Sequence, residues 1–323
     1  MNITKAIEIF FKKFLPSPFT IAVLLTILTI FLALIFTKPS MIGIGDYAVE
    51  ILQFWEKGIW SSSLLEFAYQ MMLILVLGHV LVLSKPVSNL IMKITRYCTD
   101  TAKSAAIVAS LTMLVAFFNW GLGLIFGALL ARKIAEHAQQ NNLKLNYPIV
   151  GASGYMGMMV WHGGISGSAP IKINEVGHLS NIMNNSSFEF MHKVPSTIDF
   201  SQTIFSFSNL LIFAIVVFVI SGMFYVLGKN SQPTEINLSQ YKMHQDEKPL
   251  LKKDRLDNSK ILATIFGLLI LVTFFSRYFS AIKILKITPN LINFLMLGLG
   301  ILFHGSFKNF TSAVVESITD ISG

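Results

Sequence analysis

The 323 residues are 53% hydrophobic and only 13% charged, with a mean hydropathy of +0.63. A soluble domain carries about 25% charged residues, so the composition excludes an ordinary water-soluble enzyme and describes an all-α integral membrane protein. The net charge of +8 would suggest nucleic acid in a soluble chain. Here Lys and Arg sit at the ends of apolar runs, where topology and anionic lipid account for them, and no nucleic-acid partner is expected.

Residues 1–18 place Ile3, Ile7, Phe10, Phe11 and Phe14 at helical spacing with Lys5, Lys12 and Lys13 among them, the pattern of an interfacial helix. The first span is 19–36. A cleaved signal peptide is the rival reading, but the apolar part is too long and no small-x-small cleavage site follows. A polar loop with Asp46, Glu50 and Glu56 leads to the second span, 67–83. A basic loop then carries Lys85, Lys93, Arg96 and Lys103, with the single cysteine, Cys98, which excludes an internal disulfide. The uncharged run 105–131 is interrupted by Asn119, Trp120, Gly121, Leu122 and Gly123, and the loop 132–147 brings Arg132, Lys133 and Lys144.

The run 148–171, PIVGASGYMGMMVWHGGISGSAPI, has the length of a span but contains Gly151, Gly154, Gly157, Gly163, Gly164, Gly167 and Pro170. It reads as a broken helix: a half-helix over 150–161 and an unwound turn over 162–168. In hydrocarbon such irregular backbone survives only inside protein or beside a water-filled cavity. A polar stretch with Asn184, Asn185, Ser186 and Ser187 precedes a span at 203–227. The hydrophilic run 228–260 reads as a cytoplasmic linker, followed by spans at 261–275 and 287–303 and an amphipathic end. The expected architecture is a multi-span helical bundle: a first transporter repeat over 19–227, and part of a second over 261–323.

Charge parity bears on the topology. The N-terminus, the loop 84–104 and the linker are all basic, which places all three in the cytoplasm. Five crossings between N-terminus and linker would put the linker outside, so one segment must enter and leave on the same side. The run 105–131 would be about 40 Å long as one helix, against a ~30 Å hydrocarbon core. As two legs meeting at 119–123 each reaches ~20 Å, just past the midplane. A re-entrant hairpin at 105–131 is therefore expected, with one long tilted span as the alternative.

Candidate site residues cluster at the two breaks. Asn119 supplies donor and acceptor, Trp120 a flat wall, and Gly121 and Gly123 close backbone approach; the packing alternative is a glycine face with Asn119 bonded to a neighbouring helix. Trp161, His162, Gly163, Gly164, Ser166, Gly167 and Ser168 form a turn whose N–H groups and hydroxyls suit an anion, the alternative being a kink with satisfied hydroxyls. His79 and Gln70 lie inside the second span and are candidates for coupling, or for packing. No Asp, Glu, Lys or Arg lies mid-span, which speaks against a dedicated cation or dicarboxylate site. Neutral donors beside Trp, Met and Phe suit one small monoanion with an apolar tail. Neither a metal nor a cofactor is implied.

Several stretches resemble the short-chain fatty acid transporter family: NWGLGLIFGALLARKIA (119–135), YMGMMVWHGGISGSAPI (155–171), LPSPFTIAVLLTILT (15–29), QMMLILVLGHVLVLSKPV (70–87) and ILATIFGLLILVTFFSRYFS (261–280). The likeness runs along the chain in order, and departs at His162, where the family pattern has Gly. It implies ion- or proton-coupled symport of short-chain fatty acids such as butyrate or acetoacetate across the bacterial inner membrane, with the N-terminus cytoplasmic. It also implies inverted repeats and re-entrant hairpins. Relatives continue past the position of Gly323 with a second hairpin and broken helix, and 94–104 faintly echoes 315–323. The alternative function is thus a non-transporting fragment, or half of a split transporter whose partner is the missing C-terminal half; a homo-oligomer is the other expected assembly. A serine hydrolase built on Ser166 or Ser168 lacks an in-span acid to orient its histidine, and no enzyme is expected.

Overall fold

The computed structural model describes residues 16–183, 193–234, 255–283 and 287–322. The expected interfacial helix lies almost wholly outside the described residues, as do Asn184, Asn185, Ser186, Ser187 and most of the linker. All regular elements among the described residues are helical. Five helices are long and apolar enough to cross a membrane, and a sixth crossing arises if Pro289–His304 and Phe307–Thr319, bent by 120°, are one broken span. The protein is an all-α membrane protein. Its chain forms two compact units, Met1–Ala68 and Tyr69–Gly323.

In the first unit, α1 (Pro18–Phe36) starts where the Ser17 hydroxyl accepts the Thr20 N–H and Pro18 presets the first turn. None of its apolar window is buried, as suits a helix that faces lipid. The stretch read as a polar loop is instead mostly helix, α2 (Ile44–Ile59). Asp46, Glu50, Gln53 and Lys57 form one stripe and Ile44, Ala48, Ile51 and Trp55 another, an amphipathic pattern. Thr37 and Tyr47 join the two helices through their hydroxyls at 2.7 Å. Helix α3 (Ser62–Leu83) runs across the division between the units.

The second unit is built on a helical hairpin. Helix α4 (Lys85–Thr95) lies within the basic loop. After it, α5 (Thr101–Phe118) is capped by Asp100, whose Oδ1 accepts the Lys103 N–H at 2.9 Å. Asn119 is extended (φ −150°, ψ 118°), and α6 (Trp120–Gln140) departs from it with the Asn119 Oδ1 accepting the Leu122 N–H at 2.8 Å. One asparagine thus ends one helix and starts the next. The legs fold back antiparallel: Gly123 packs on Ala116, and Gly127 on Thr112. Lipid tails are as apolar as leucine, so helices associate here by close packing and hydrogen bonds rather than by hydrophobic burial. Small residues serve that contact, and Ala105, Ala109, Ala116 and Ala131 all lie in the buried core of the hairpin.

Helix α7 (Tyr147–Ser153) begins a broken element, which continues through short turns to α8 (Ser168–Asn174) and α9 (His178–Met183). Helix α10 (Phe207–Lys229) runs antiparallel to α5: Gly228 meets Ala102, the Ser221 and Ser110 hydroxyls lie 2.6 Å apart, and Phe213 meets Phe117 with centroids 4.5 Å apart. The open end of the hairpin is tied to neighbouring segments. Asn146 donates its backbone N–H to the Thr101 hydroxyl at 2.9 Å and its amide to Gln232 O at 2.8 Å, and the Thr234 N–H reaches Leu145 O at 3.0 Å. The start of α5, the loop after α6 and the chain leaving α10 therefore share one end.

Helix α11 (Lys260–Lys283) outlasts the expected 261–275 and carries Arg277 in its last turns. It packs antiparallel on α12 (Pro289–His304), with Gly267 against Leu302 and Gly298 against Ile270. Helix α12 lies parallel to α3: Gln70 Nε2 donates to Asn290 Oδ1 at 3.1 Å, Asn293 Nδ2 to Gln70 O at 3.0 Å, and His304 Nε2 lies 2.8 Å from Val80 O. Gly305, at φ +68°, supplies the left-handed turn that ends α12. The amphipathic end is α13 (Phe307–Ser322). The tip of the hairpin reaches only partway along its neighbours. Gly121 packs on Leu75 and Gly78 on Leu122, near the middle of α3. Asn119 Nδ2 lies 3.7 Å from Met296 Sδ, at the middle of α12.

A methyl group at Gly127 would lie 2.7 Å from Thr112 Oγ1 and collide with the Gly154 carbonyl. Gly127→Ala should therefore cost about 1–3 kcal/mol of stability, read as a lower melting temperature of the purified protein. Gly222→Ala, whose Cβ would meet nothing within 4 Å, should leave it unchanged.

Candidate functional site

The broken element starts from Asn146, whose Oδ1 accepts the Ile149 N–H at 3.3 Å, with Pro148 in the first turn of α7. The half-helix expected over 150–161 stops at Ser153. Beyond it the chain tightens into two 3₁₀ turns, Met156–Met159 and Trp161–Gly163. Packing explains the change. The Gly154 backbone lies against Gly127, and Gly157 fits between Thr112 and Ala116, so the chain follows the surface of the hairpin rather than its own cylinder. At Gly164 it becomes extended, with ψ 173°.

There the two breaks meet. The Ile165 N–H donates to Phe117 O at 2.7 Å, and the Trp120 N–H donates to Ser166 Oγ at 2.8 Å. A Cβ at Gly164 would lie 2.6 Å from Phe117 O, so only glycine permits this approach. Trp120 and Trp161 pack with centroids 5.0 Å apart and planes tilted by 31°. His162 stacks on Trp161 at 4.4 Å and 19°. On the far side of the turn, Asn209 Nδ2 donates to Gly163 O at 2.9 Å and to Ile204 O at 2.7 Å. A small cavity of about 120 Å³ opens there between Met159, Val160, Gly163, Asn209 and Phe213.

The expected site residues fall into groups. Asn119, Trp120, Trp161, His162, Gly164 and Ser166 come together at the junction. Gly163 bonds Asn209, while Gly167 packs against the His162 and Gly164 carbonyls. Ser168 opens α8. Gly121 and Gly123 serve helix packing against Leu75 and Ala116, and the Asn119 acceptor is taken by its own cap. Gln70 bonds into α12 rather than into the junction, and His79 is buried on α3 beside Gly78, which touches the tip. Asn209 and Asn293 went unremarked in the sequence. Both stand in or at the edge of apolar runs, the signal that drew notice to Gln70 and His79.

Among the described residues gathered at the junction none carries a formal charge. Among the described residues no group of three His, Cys, Asp or Glu could hold a metal ion, and neither Ser166 nor Ser168 hydrogen-bonds a histidine. Many backbone N–H groups of the turn are already engaged: Gly163 with Val160 O at 3.2 Å, Gly164 with Trp161 O at 3.0 Å, and Gly167 with Gly164 O at 3.0 Å. What remains is a junction of aromatic faces and neutral polar groups.

Fold and junction define a multi-pass membrane protein in which a helical hairpin and a broken helix meet at the depth where neighbouring helices are half traversed. The chain belongs to the short chain fatty acid transporter family, whose model matches residues 1–323. It is similar to a protein of Escherichia coli named "Putative short-chain fatty acid transporter", 28% identical over 334 aligned positions that cover 100% of this chain and 69% of the relative. A protein of Haemophilus influenzae with the same name is 27% identical over 332 positions, again covering 100% of this chain and 69% of the relative. No solved structure matches the chain.

Ser166 is fully buried, and its oxygen is the acceptor for the Trp120 N–H. Ser166→Ala leaves that donor unpaired and should cost about 1–3 kcal/mol, measured as a fall in melting temperature; Ser166→Thr, which keeps the acceptor, should lose less.

Proposed function

We propose that this protein is a secondary transporter that carries short-chain monocarboxylates, butyrate or acetoacetate among them, across the bacterial inner membrane. The observation that carries the reading is the neutral junction at the tip of the hairpin. A substrate bound there by hydrogen bonds and aromatic faces would be a small monoanion; a dicarboxylate would gain from an arginine fork, and none of the residues brought together there is charged. The faces of Trp120 and Trp161 would take the short apolar tail. Coupling to a proton or a cation falls to groups outside the junction, with His79 and the Gln70–Asn290–Asn293 cluster as the polar candidates within the helices.

The same reading makes the hairpin re-entrant. Basic segments gather at its open end, where Arg132 and Lys133 share Glu136 at 3.0 and 2.7 Å, and basic loops favour the cytoplasm. The apolar legs, about 20 Å each, then stop near the midplane while α10 continues past the tip from Phe213 to Phe207. The broken element crosses fully, from the cytoplasmic end at α7 to the opposite end at α8. The N-terminus is cytoplasmic.

Transport is tested by uptake of labelled butyrate into cells lacking their own carrier, with chain abundance checked by blot. Saturable, gradient-dependent uptake is expected; its absence at normal abundance would count against the reading. Topology is tested by single cysteines at 139–144, labelled on intact cells with an impermeant maleimide: they should stay unlabelled until the membrane is opened. The native thiol should stay silent throughout. Cys98 is buried, and burial pushes its thiol up to about 11 from 9.0, which lowers the reactive thiolate about a hundredfold at neutral pH.

A further inference from the structure

Among the described residues, two polar atoms at the junction have no hydrogen-bond partner: Trp120 Nε1 and Trp161 Nε1, both buried. Most buried polar groups of native proteins are paired, and each exception calls for an explanation. An indole N–H is a donor only, so what it lacks is an acceptor. The two indoles belong to neighbouring rings, centroids 5.0 Å apart and planes tilted by 31°, on the two elements whose breaks form the junction. Both residues are half-buried although their nitrogen atoms are not exposed, so a ligand that meets the nitrogens does so by parting the rings from their neighbours.

The backbone donors cannot take this role to the same degree. The N–H groups of Trp120, Gly163, Gly164, Ile165 and Gly167 are spent on Ser166, Val160, Trp161, Phe117 and Gly164. The Asn119 acceptor is held by Leu122, and its amide faces the Met296 sulfur. An anion-binding nest, which the glycine-rich turn suggests from sequence, is thus largely closed by internal hydrogen bonds.

We infer that the indole N–H groups of Trp120 and Trp161 are the donors that hold the substrate carboxylate, one from the hairpin and one from the broken helix. This rests on the monocarboxylate reading and deepens it. Two neutral donors match the two oxygens of one carboxylate, and the aromatic faces beside them accept an alkyl chain. With no fixed cation at the junction, a second carboxylate on the ligand would have no partner. The donors also sit on separate elements, so a bound carboxylate ties the hairpin to the broken helix. Trp120 and Trp161 are then recognition residues rather than apolar walls.

The test uses the 323-residue chain in lipid nanodiscs, with Trp55→Phe and Trp60→Phe so that only these two indoles remain, each carrying ¹⁵N. Titration with butyrate should shift both indole N–H resonances along one saturation curve. Trp120→Phe and Trp161→Phe should each raise the butyrate Kd about tenfold to a hundredfold, the size of a lost hydrogen bond to a charged group. Binding of butyramide, the uncharged isostere, should change far less. If a Phe variant fails to fold, benzothienylalanine at the same position keeps the shape of the ring and removes only the N–H. Saturable butyrate binding that leaves both resonances in place, or unchanged affinity in both ring-preserving variants, would overturn the inference. A lack of any saturable butyrate binding by the unsubstituted chain would overturn the monocarboxylate reading, and this inference with it.

Discussion

An unpaired backbone N–H or carbonyl in hydrocarbon costs several kcal/mol, and this chain breaks its helices at two places that meet. The breaks tolerate one another because each completes the other. Asn119 interrupts the hairpin and leaves Phe117 O and the Trp120 N–H at the tip; the turn at 164–166 interrupts the other element and supplies the Ile165 N–H and the Ser166 hydroxyl in return. The pairing demands contact between backbones, and that is what the small residues provide. Gly164 approaches Phe117, Gly127 approaches Gly154, and Gly157 approaches Thr112 and Ala116. Were any of these contacts opened, the cost would appear twice, as a lost packing surface and as unpaired backbone polar groups.

The junction concentrates neutral polar groups, while the described charges stay at the margins. Arg132, Lys133 and Glu136 form an ion-paired cluster at the open end of the hairpin, and Lys172 pairs with Glu175 at 3.0 Å just after α8. Between these limits the junction holds neutral donors, aromatic rings and a small cavity.

Much of the fold was legible in the sequence because the dominant signals were local. The first span, 19–36, is marked by a serine cap, a proline and unbroken hydrophobicity. The hairpin was legible from Asn119, whose short amide favours a cap. Less was legible where tertiary contact decides. The helices 44–59 and 85–95 carry too many charges to stand out as apolar runs, although their stripes follow a helical period. The 3₁₀ turns after Ser153 arise because Gly154 and Gly157 are pressed on the hairpin, which no local propensity encodes. The partner of Gln70 is Asn290, across the bundle. Helices α3 and α12 run parallel. At the junction, the sequence singled out Trp120, Trp161 and Ser166, which the fold brings together, but not which of their polar atoms the protein leaves unbonded.

The central claim is that the hairpin tip stops inside the membrane and meets the broken helix there. The most direct measurement is a cryo-EM map of the chain in a lipid nanodisc, with the bilayer density resolved. The account predicts Asn119 and Ser166 side by side near the bilayer midplane, with Thr101, Asn146 and Lys229 together at one headgroup layer. Density that carries Asn119 to the opposite headgroup layer, with the chain of α5 and α6 crossing as separate full spans, would contradict it.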